Sequence, residues 1–344
     1  MAAQNFFGLD IGSHAIKLVE LAKKQDHLVL VAAGTVLTPP NILDSEASED
    51  LASVAEAIRK LKHDIRVTTN NVVMALPESQ VFSRVVEMPN LTEAEVASAI
   101  KWEAEQYVPI PLSEVNIDWQ ILTQPGAKEN KIEVLLVAAP TVLVNKYLQI
   151  LKMADLHAVS FETEIIAVSR SLISNTIGSP TSLIISLGAS TTDLTAVRGG
   201  QISFTRSIST GGLALTRAVA QDLGFEMDQA EEYMKTYGLD STQLEGKLTA
   251  AIKPVFDVIV NEIRRAIAYY IGKNPNDPIK RIVISGGAAK LPGLVVYLAD
   301  ELGIEVQMGN PWEGIELPEA LSSKLVDAGP TYAVAVGLAM KGQE

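Results

Sequence analysis

The stretch Phe7–Val19, FGLDIGSHAIKLV, sets the reading of the whole chain. Two short apolar runs, Phe7–Leu9 and Ala15–Val19, flank a tight Asp10-Ile11-Gly12-Ser13-His14 turn. Glycine at 12 removes Cβ where backbone must turn or lie close to a ligand. A hairpin tip of this kind can offer the Gly12 and Ser13 amides, with the Ser13 hydroxyl, to phosphate oxygens. Lys17 can reach back with its charge, and Asp10 can hold a hydrated Mg²⁺, an ion that prefers carboxylate plus water. The plain alternative is an ordinary hairpin whose glycine serves only the turn. A second copy favours the phosphate reading. Leu183–Val197, LIISLGASTTDLTAV, sets Gly188-Ala189-Ser190-Thr191-Thr192-Asp193 between two apolar runs. Superposing Gly12 on Gly188 gives an offset of 176 residues, about half of the 344-residue chain. A third glycine turn follows in Arg281–Leu294, RIVISGGAAKLPGL, where the run Ile282–Ile284 leads into Ser285-Gly286-Gly287.

Two phosphate-type hairpins in two halves, then a strand-glycine-glycine turn, resemble the layout of the actin/Hsp70/hexokinase-type nucleotide-binding fold. That resemblance implies duplicated RNase H-like α/β domains around a cleft that binds ATP or ADP with Mg²⁺. It implies cofactor contacts from Asp10, Gly12, Ser13 and Lys17, and from Gly188, Ala189 and Thr191 of the second hairpin. Gly212 follows at the start of a helix, and Gly286, Gly287 and Lys290 stand beside the adenosine.

Composition bounds the rest. At 344 residues the chain has room for roughly two domains, each burying its own core. Forty-seven per cent hydrophobic and 20% charged residues are ordinary for a folded protein. There is no cysteine, so disulfides and thiolate-bound metals are excluded and a reducing compartment fits. The four histidines (His14, His27, His63, His157) show no ligand spacing. A net charge of −13 argues against non-specific nucleic-acid binding and against adhesion to anionic lipid. No signal peptide opens the chain and no apolar run approaches the roughly 18–20 residues a membrane span needs, so a cytoplasmic protein is expected.

In chain order, Leu28–Val36 reads as a strand, and apolar residues at 51, 54, 55, 58 and 61 make Asp50–Lys62 an amphipathic helix. Asn71–Ala75 is strand-like again. From about Gln80 the texture changes. Val81–Met88 alternates as a strand, and Thr92-Glu93-Ala94-Glu95 forms a capping box with Leu91 and Val96 at the staple positions. Strands at Val115–Leu122 and Ile132–Ala139, joined by a polar turn over Gln124–Asn130, precede a helix at Thr141–Met153. This is an α+β insert within the first half. Beyond it, Ser160–Ser174 is expected to be helical, and Pro254–Ile271 is a long amphipathic helix.

The insert carries a narrower resemblance. The run Ile100–Pro111, IKWEAEQYVPIP, followed by Asp118-Trp119-Gln120, resembles the signature of the PilM family, actin-like proteins of type IV pilus assembly related to the division protein FtsA. Tyr332–Gly342, YAVAVGLAMKG, and the Asp10–Lys17 turn match that family too. The resemblance implies a subdomain 1A over 1–79, 155–180 and 325–344, and an inserted subdomain 1C over 80–154. The second half spans 181–324, with 2B at about 215–280. In Ala230–Lys235 it places Glu231 and Lys235 near the ribose and base; otherwise they form a solvated i,i+4 pair. As partner it implies the cytoplasmic amino-terminal tail of PilN in a groove between 1A and 1C, with Trp102, Tyr107 and Val108 as lining candidates, and contacts to the motor and platform proteins. The bland reading is that Trp102, Tyr107 and Trp119 fill the insert's core. Association with the inner membrane would then be indirect, through the partner.

One departure bears on chemistry. The second hairpin of the superfamily begins Asp-x-Gly, and this chain has Ser186-Leu187-Gly188. Glu162 and Glu164 are the nearest candidates for the group that orients attacking water, Glu164 the preferred one. Phosphoryl transfer needs metal-bound charge and a positioned nucleophile. The expectation is a nucleotide binder with slow or absent hydrolysis. The alternatives are an FtsA-like filament former, though the end at Lys341–Glu344 leaves no amphipathic membrane helix, and a small-molecule kinase, whose catalytic Asp base would be missing at Ser186.

Overall fold

The computed structural model describes residues 5–25, 27–40, 45–122, 131–173 and 179–342. Runs of β-branched and aliphatic residues form the strands and 3.6-period amphipathic stretches the helices between them. The first half contains β1 (Phe7–Ile11), β2 (Ala15–Lys24), β3 (His27–Leu37), α1 (Ser48–Asp64) and β4 (Asn71–Leu76). The insert follows with β5 (Phe82–Pro89), α2 (Glu93–Tyr107), β6 (Val115–Ile121) and β7 (Lys131–Pro140). Next come α3 (Thr141–Met153), β8 (His157–Thr163) and α4 (Glu164–Leu172). The second half comprises β9 (Ser182–Leu187), β10 (Thr192–Arg198), β11 (Gln201–Ile208), α5 (Gly212–Leu223), α6 (Met227–Tyr237), α7 (Lys247–Lys273), β12 (Arg281–Ser285), α8 (Leu294–Leu302) and β13 (Glu305–Met308). β14 (Ile315–Glu316) and α9 (Glu319–Ala339) close the chain.

The two halves repeat one topology. The first sheet runs β14-β3-β2-β1-β4-β8 and the second β11-β10-β9-β12-β13. In each, a three-strand antiparallel meander is followed by two parallel strands. Strands buried on both faces account for the near-continuous apolar runs of β1, β9 and β12. α4 and α9 lie between the sheets, with Ala167 and Leu338 packed on Val73 and Ala75, and Val168 and Ala333 on Ile184 and Val283.

These helices cross at very close range. A Cβ on Gly337 would stand 1.8 Å from the carbonyl oxygen of Ala167, an overlap that only backbone movement could relieve. Gly337→Ala is therefore expected to destabilise the fold by about 1–3 kcal/mol, read as a lowered denaturation midpoint. An unchanged midpoint would refute the crossing.

Four sequence expectations are redrawn in the folded chain. Ser160–Thr163 is strand, because β8 pairs in parallel with β4, and the helix begins only at Glu164. α3, grouped with the insert by its place in the chain, buries Leu143, Tyr147, Ile150 and Leu151 in the core beneath the first sheet, beside α1. Ile315 and Glu316, which the sequence reading put in the second half, pair with Leu28 and Val29 on the first sheet. α7 also starts two turns earlier than its proline suggested, with Pro254 inside it. The polar turn expected over Gln124–Asn130 falls outside the described residues.

The insert has its own core, in which Val96, Ile100 and Ala104 of α2 cover the sheet β5-β7-β6. Its capping box is formed, with Thr92 donating to Glu95 Oε2 from both its amide and its hydroxyl, each at 2.8 Å. The insert also touches the second half. Thr205 Oγ1 donates to the Ser83 carbonyl (3.3 Å), and Arg198 reaches Glu133 (2.8 Å) and Asn274 (2.6 Å).

Candidate functional site

Both glycine hairpins turn as expected, yet their glycine amides serve the turns. Gly12 N–H donates to the Ala15 carbonyl (3.2 Å) and Gly188 N–H to that of Thr191 (2.9 Å). The tip amides of Ser13 and Ala189 stay outside these bonds and are the ones a phosphate could use. Lys17 stands opposite Asp10 in the antiparallel ladder, and its ammonium donates to Asp10 Oδ2 at 3.0 Å. The second hairpin is stitched to the helix behind it: Gly212 and Leu213 N–H donate to the Gly188 and Ala189 carbonyls, each at 2.9 Å. This brings the amino terminus of α5, with its partial positive charge, against the hairpin.

The Ser285-Gly286-Gly287 turn packs at the same corner. Gly286 has φ +90°, and a Cβ there would stand 2.3 Å from the Leu187 carbonyl oxygen, so the position admits only glycine. A Cβ on Gly287 would meet nothing within 4 Å, so no protein contact requires that glycine, leaving room for a ligand against the backbone. One on Gly212 would meet Ala288, which places α5 and this turn side by side. Across the cleft, Glu231 on α6 is held by Lys235 (2.5 Å) and lies 4.0 Å from His14 Nε2 at the first hairpin tip. Lys235 first, and His14 more weakly, keep the Glu231 carboxyl below its usual range. Lys290 pairs with Asp327 on α9 (2.5 Å) and would reach a nucleotide only by leaving that exposed pair.

Between the hairpins the structure gathers acids. Glu164, the first residue of α4, accepts the Glu78 amide hydrogen at 2.9 Å. Burial raises its carboxyl well above the ordinary range, and the charges of Asp193 and Asp10 raise it further. Glu78, in the turn after β4, is pushed up to about 8 by burial and then by Asp193. Asp193 is itself raised by burial, partly opposed by the Ser207 and Thr191 hydroxyls. Glu162 is separated from this group. Burial pushes its carboxyl up, but Arg170 (2.8 Å) and Lys341 (2.7 Å) together hold it below the usual value. Among the described residues no three acidic or histidine side chains stand close enough to ligate a bare metal ion.

Two members of this site were not assigned from sequence. The 176-residue offset carries Lys17 onto Asp193, a signal that was available. Glu78 had none, since nothing in Leu76-Pro77-Glu78 marks a cleft residue. The partner candidates divide. Trp102 is 72% exposed on α2, Tyr107 is half-buried under the Arg84 guanidinium (4.4 Å), and Val108 belongs to the insert's core. Trp119 also packs on that core.

A family model described as "Type IV pilus assembly protein PilM" matches residues 8–343. A chain of a solved PilM–PilN type IV pilus biogenesis complex is 30% identical, with 99% of each chain covered and a TM-score of 0.87. The ethanolamine utilization protein EutJ of Carboxydothermus hydrogenoformans (16% identical, covering 99% of this chain and 91% of that one, TM-score 0.58) shares the fold. So does MreB5 of Spiroplasma citri bound to AMPPNP (14%, covering 100% and 97%, TM-score 0.54). Cell division protein FtsA of Neisseria meningitidis serogroup B is 22% identical over 382 residues, 96% of this chain and 88% of that one. The architecture is thus actin-like, with an α+β insert in its first half.

Proposed function

The chain belongs to the PilM family of type IV pilus assembly proteins, and on that footing we propose that it is a nucleotide-binding adaptor whose insert receives the amino-terminal tail of a PilN-type membrane protein. The supporting observation is the 30% identity to a chain of a PilM–PilN complex across 99% of both chains. Among the described residues no helix is long and apolar enough to cross a membrane, which fits attachment through a partner on the cytoplasmic side of the inner membrane. Contacts to the motor and platform proteins belong to the same reading.

The ligand assigned to the cleft in this reading is ATP or ADP. Ser13, Ala189 and Thr191 at the hairpin tips and Lys17 would meet the phosphates, Glu231 and Lys235 the ribose and base, and Gly286 and Gly287 the adenine. Asp10 would hold Mg²⁺ through water, and the ion would supply charge neutralisation for the phosphates. Hydrolysis is slow or absent. Ser186 brings no carboxylate, and Glu164, whose environment favours its protonated form, is a poor acceptor for a proton from water. The exposed Trp102 offers the tail an aromatic anchor, as interface anchors commonly are.

The test is calorimetric titration with a peptide of the partner's first ~20 residues, with and without Mg-ATP. Binding is expected, changed by nucleotide and lost in Trp102→Glu, whose exposed position leaves the insert's core untouched. Absence of binding in both conditions would overturn the adaptor reading. Similarity to FtsA along 96% of the chain favours a filament former as the second reading, and ATP-dependent sedimentation would support it.

A further inference from the structure

The two hairpins share a register but not a charge pattern. In the first, Asp10 on β1 stands opposite Lys17 on β2. In the second, the equivalent pair is Ser186 on β9 and Asp193 on β10. Directly opposed residues of an antiparallel pair project from the same face, with Cβ atoms roughly 5 Å apart. The carboxylate missing at 186 is therefore present one cross-strand step away, on the same side of the sheet. Ser186 is also committed elsewhere, its hydroxyl bonded to that of Ser285 on β12 at 3.1 Å.

Asp193 is only 7% exposed. Thr191 Oγ1 donates to its Oδ2 (3.2 Å), while Oδ1 has no hydrogen-bond partner among the described residues. Glu78, 6% exposed, likewise leaves Oε2 unpartnered on the facing side of the cleft. In the first hairpin a lysine neutralises the acid, whereas in the second the lysine's own place is taken by the acid. A buried carboxylate without a cation is costly, and the same charge opposite Asp10 becomes favourable when a divalent ion and its waters enter between them.

We propose that Asp193 supplies, from the second strand of the second hairpin, the carboxylate that Ser186 lacks, and holds the hydrated divalent cation of a bound nucleotide opposite Asp10. The assignment rests on the nucleotide-binding reading above. It restores charge to the metal side of the cleft without restoring a positioned attacking water.

The experiment titrates the full chain with a fluorescent ADP analogue in MgCl₂ and in EDTA. Mg²⁺ is expected to tighten binding to the parent. Asp193→Asn, isosteric and relieved of a buried charge, is expected to lose about tenfold of that tightening, read as the ratio of its own affinities in MgCl₂ and in EDTA. The exchange Ser186→Asp with Asp193→Ser is expected to recover it. Mg²⁺ tightening that survives in Asp193→Asn, or is absent from the parent, would overturn the assignment and leave nucleotide binding standing. A parent that binds no nucleotide in either buffer would overturn both.

Discussion

Glu78→Gln is expected to raise the stability of the protein at pH 8 and above by up to about 4 kcal/mol, and to change it little at pH 4. Glu78 sits in the turn after β4, buried, with Asp193 facing it and one oxygen unpartnered among the described residues. Its carboxyl is held up to about 8 in the fold, against 4.5 for the free side chain. Below both values the group is protonated whether the chain is folded or not, and it costs nothing. As pH rises from 4.5 towards 8 the unfolded chain releases this proton while the folded one keeps it, and folding stability is progressively lost. Glutamine has no proton to release and escapes that penalty, at the cost of a buried amide in the carboxylate's place. Denaturant melts of the two proteins from pH 4 to 9 give the curve. A difference independent of pH would show that Glu78 is not held neutral in the fold.

Arg170→Met is expected to produce the opposite effect, a loss of about 3 kcal/mol at neutral pH. Arg170 spans Glu162 with two hydrogen bonds, at 2.8 and 3.1 Å, and donates to the Gly337 carbonyl at 2.7 Å. It thereby ties the end of β8 to α9 at the crossing where Gly337 allows the helices to touch. Methionine leaves the Glu162 carboxylate, 8% exposed, to its pair with Lys341, and takes the guanidinium's hydrogen bond from the Gly337 carbonyl. Lys341→Met should cost less, because that ammonium is 36% exposed. The paired Glu162 has a depressed carboxyl, so its contribution is present above about pH 4.5 and fades as pH falls through the folded value. The gap between parent and Arg170→Met should narrow on acidification. Equal stability at pH 7 would mean that the bridge is worth no more than an exposed pair.

Much of the architecture was legible because its signals are local. The turn chemistry of Gly12 and Gly188, the 3.6-residue period of α1 and the capping box at Thr92–Glu95 act between near neighbours in the chain. The parts that were misread depend on partners far away. Ser160–Thr163 is strand because β4 offers it an open ladder, and α3 belongs to the first core because α1 packs against its apolar face. The amides of Gly12 and Gly188 have the right place in the sequence, but only the folded turns show that they are already used.

The sequence by itself determined the duplicated strand pattern, the insert, the exchange of Asp for Ser at 186 and the family to which the chain belongs. These are properties of order and spacing, and they survive in an unfolded chain. Only the tertiary structure decided which acids act together. Glu78, Glu164, Asp10 and Asp193 lie on four separate segments, and Glu162, two residues from Glu164, faces Arg170 and Lys341 instead. Charges couple through distance and burial, and both are set when the two halves close around α4 and α9.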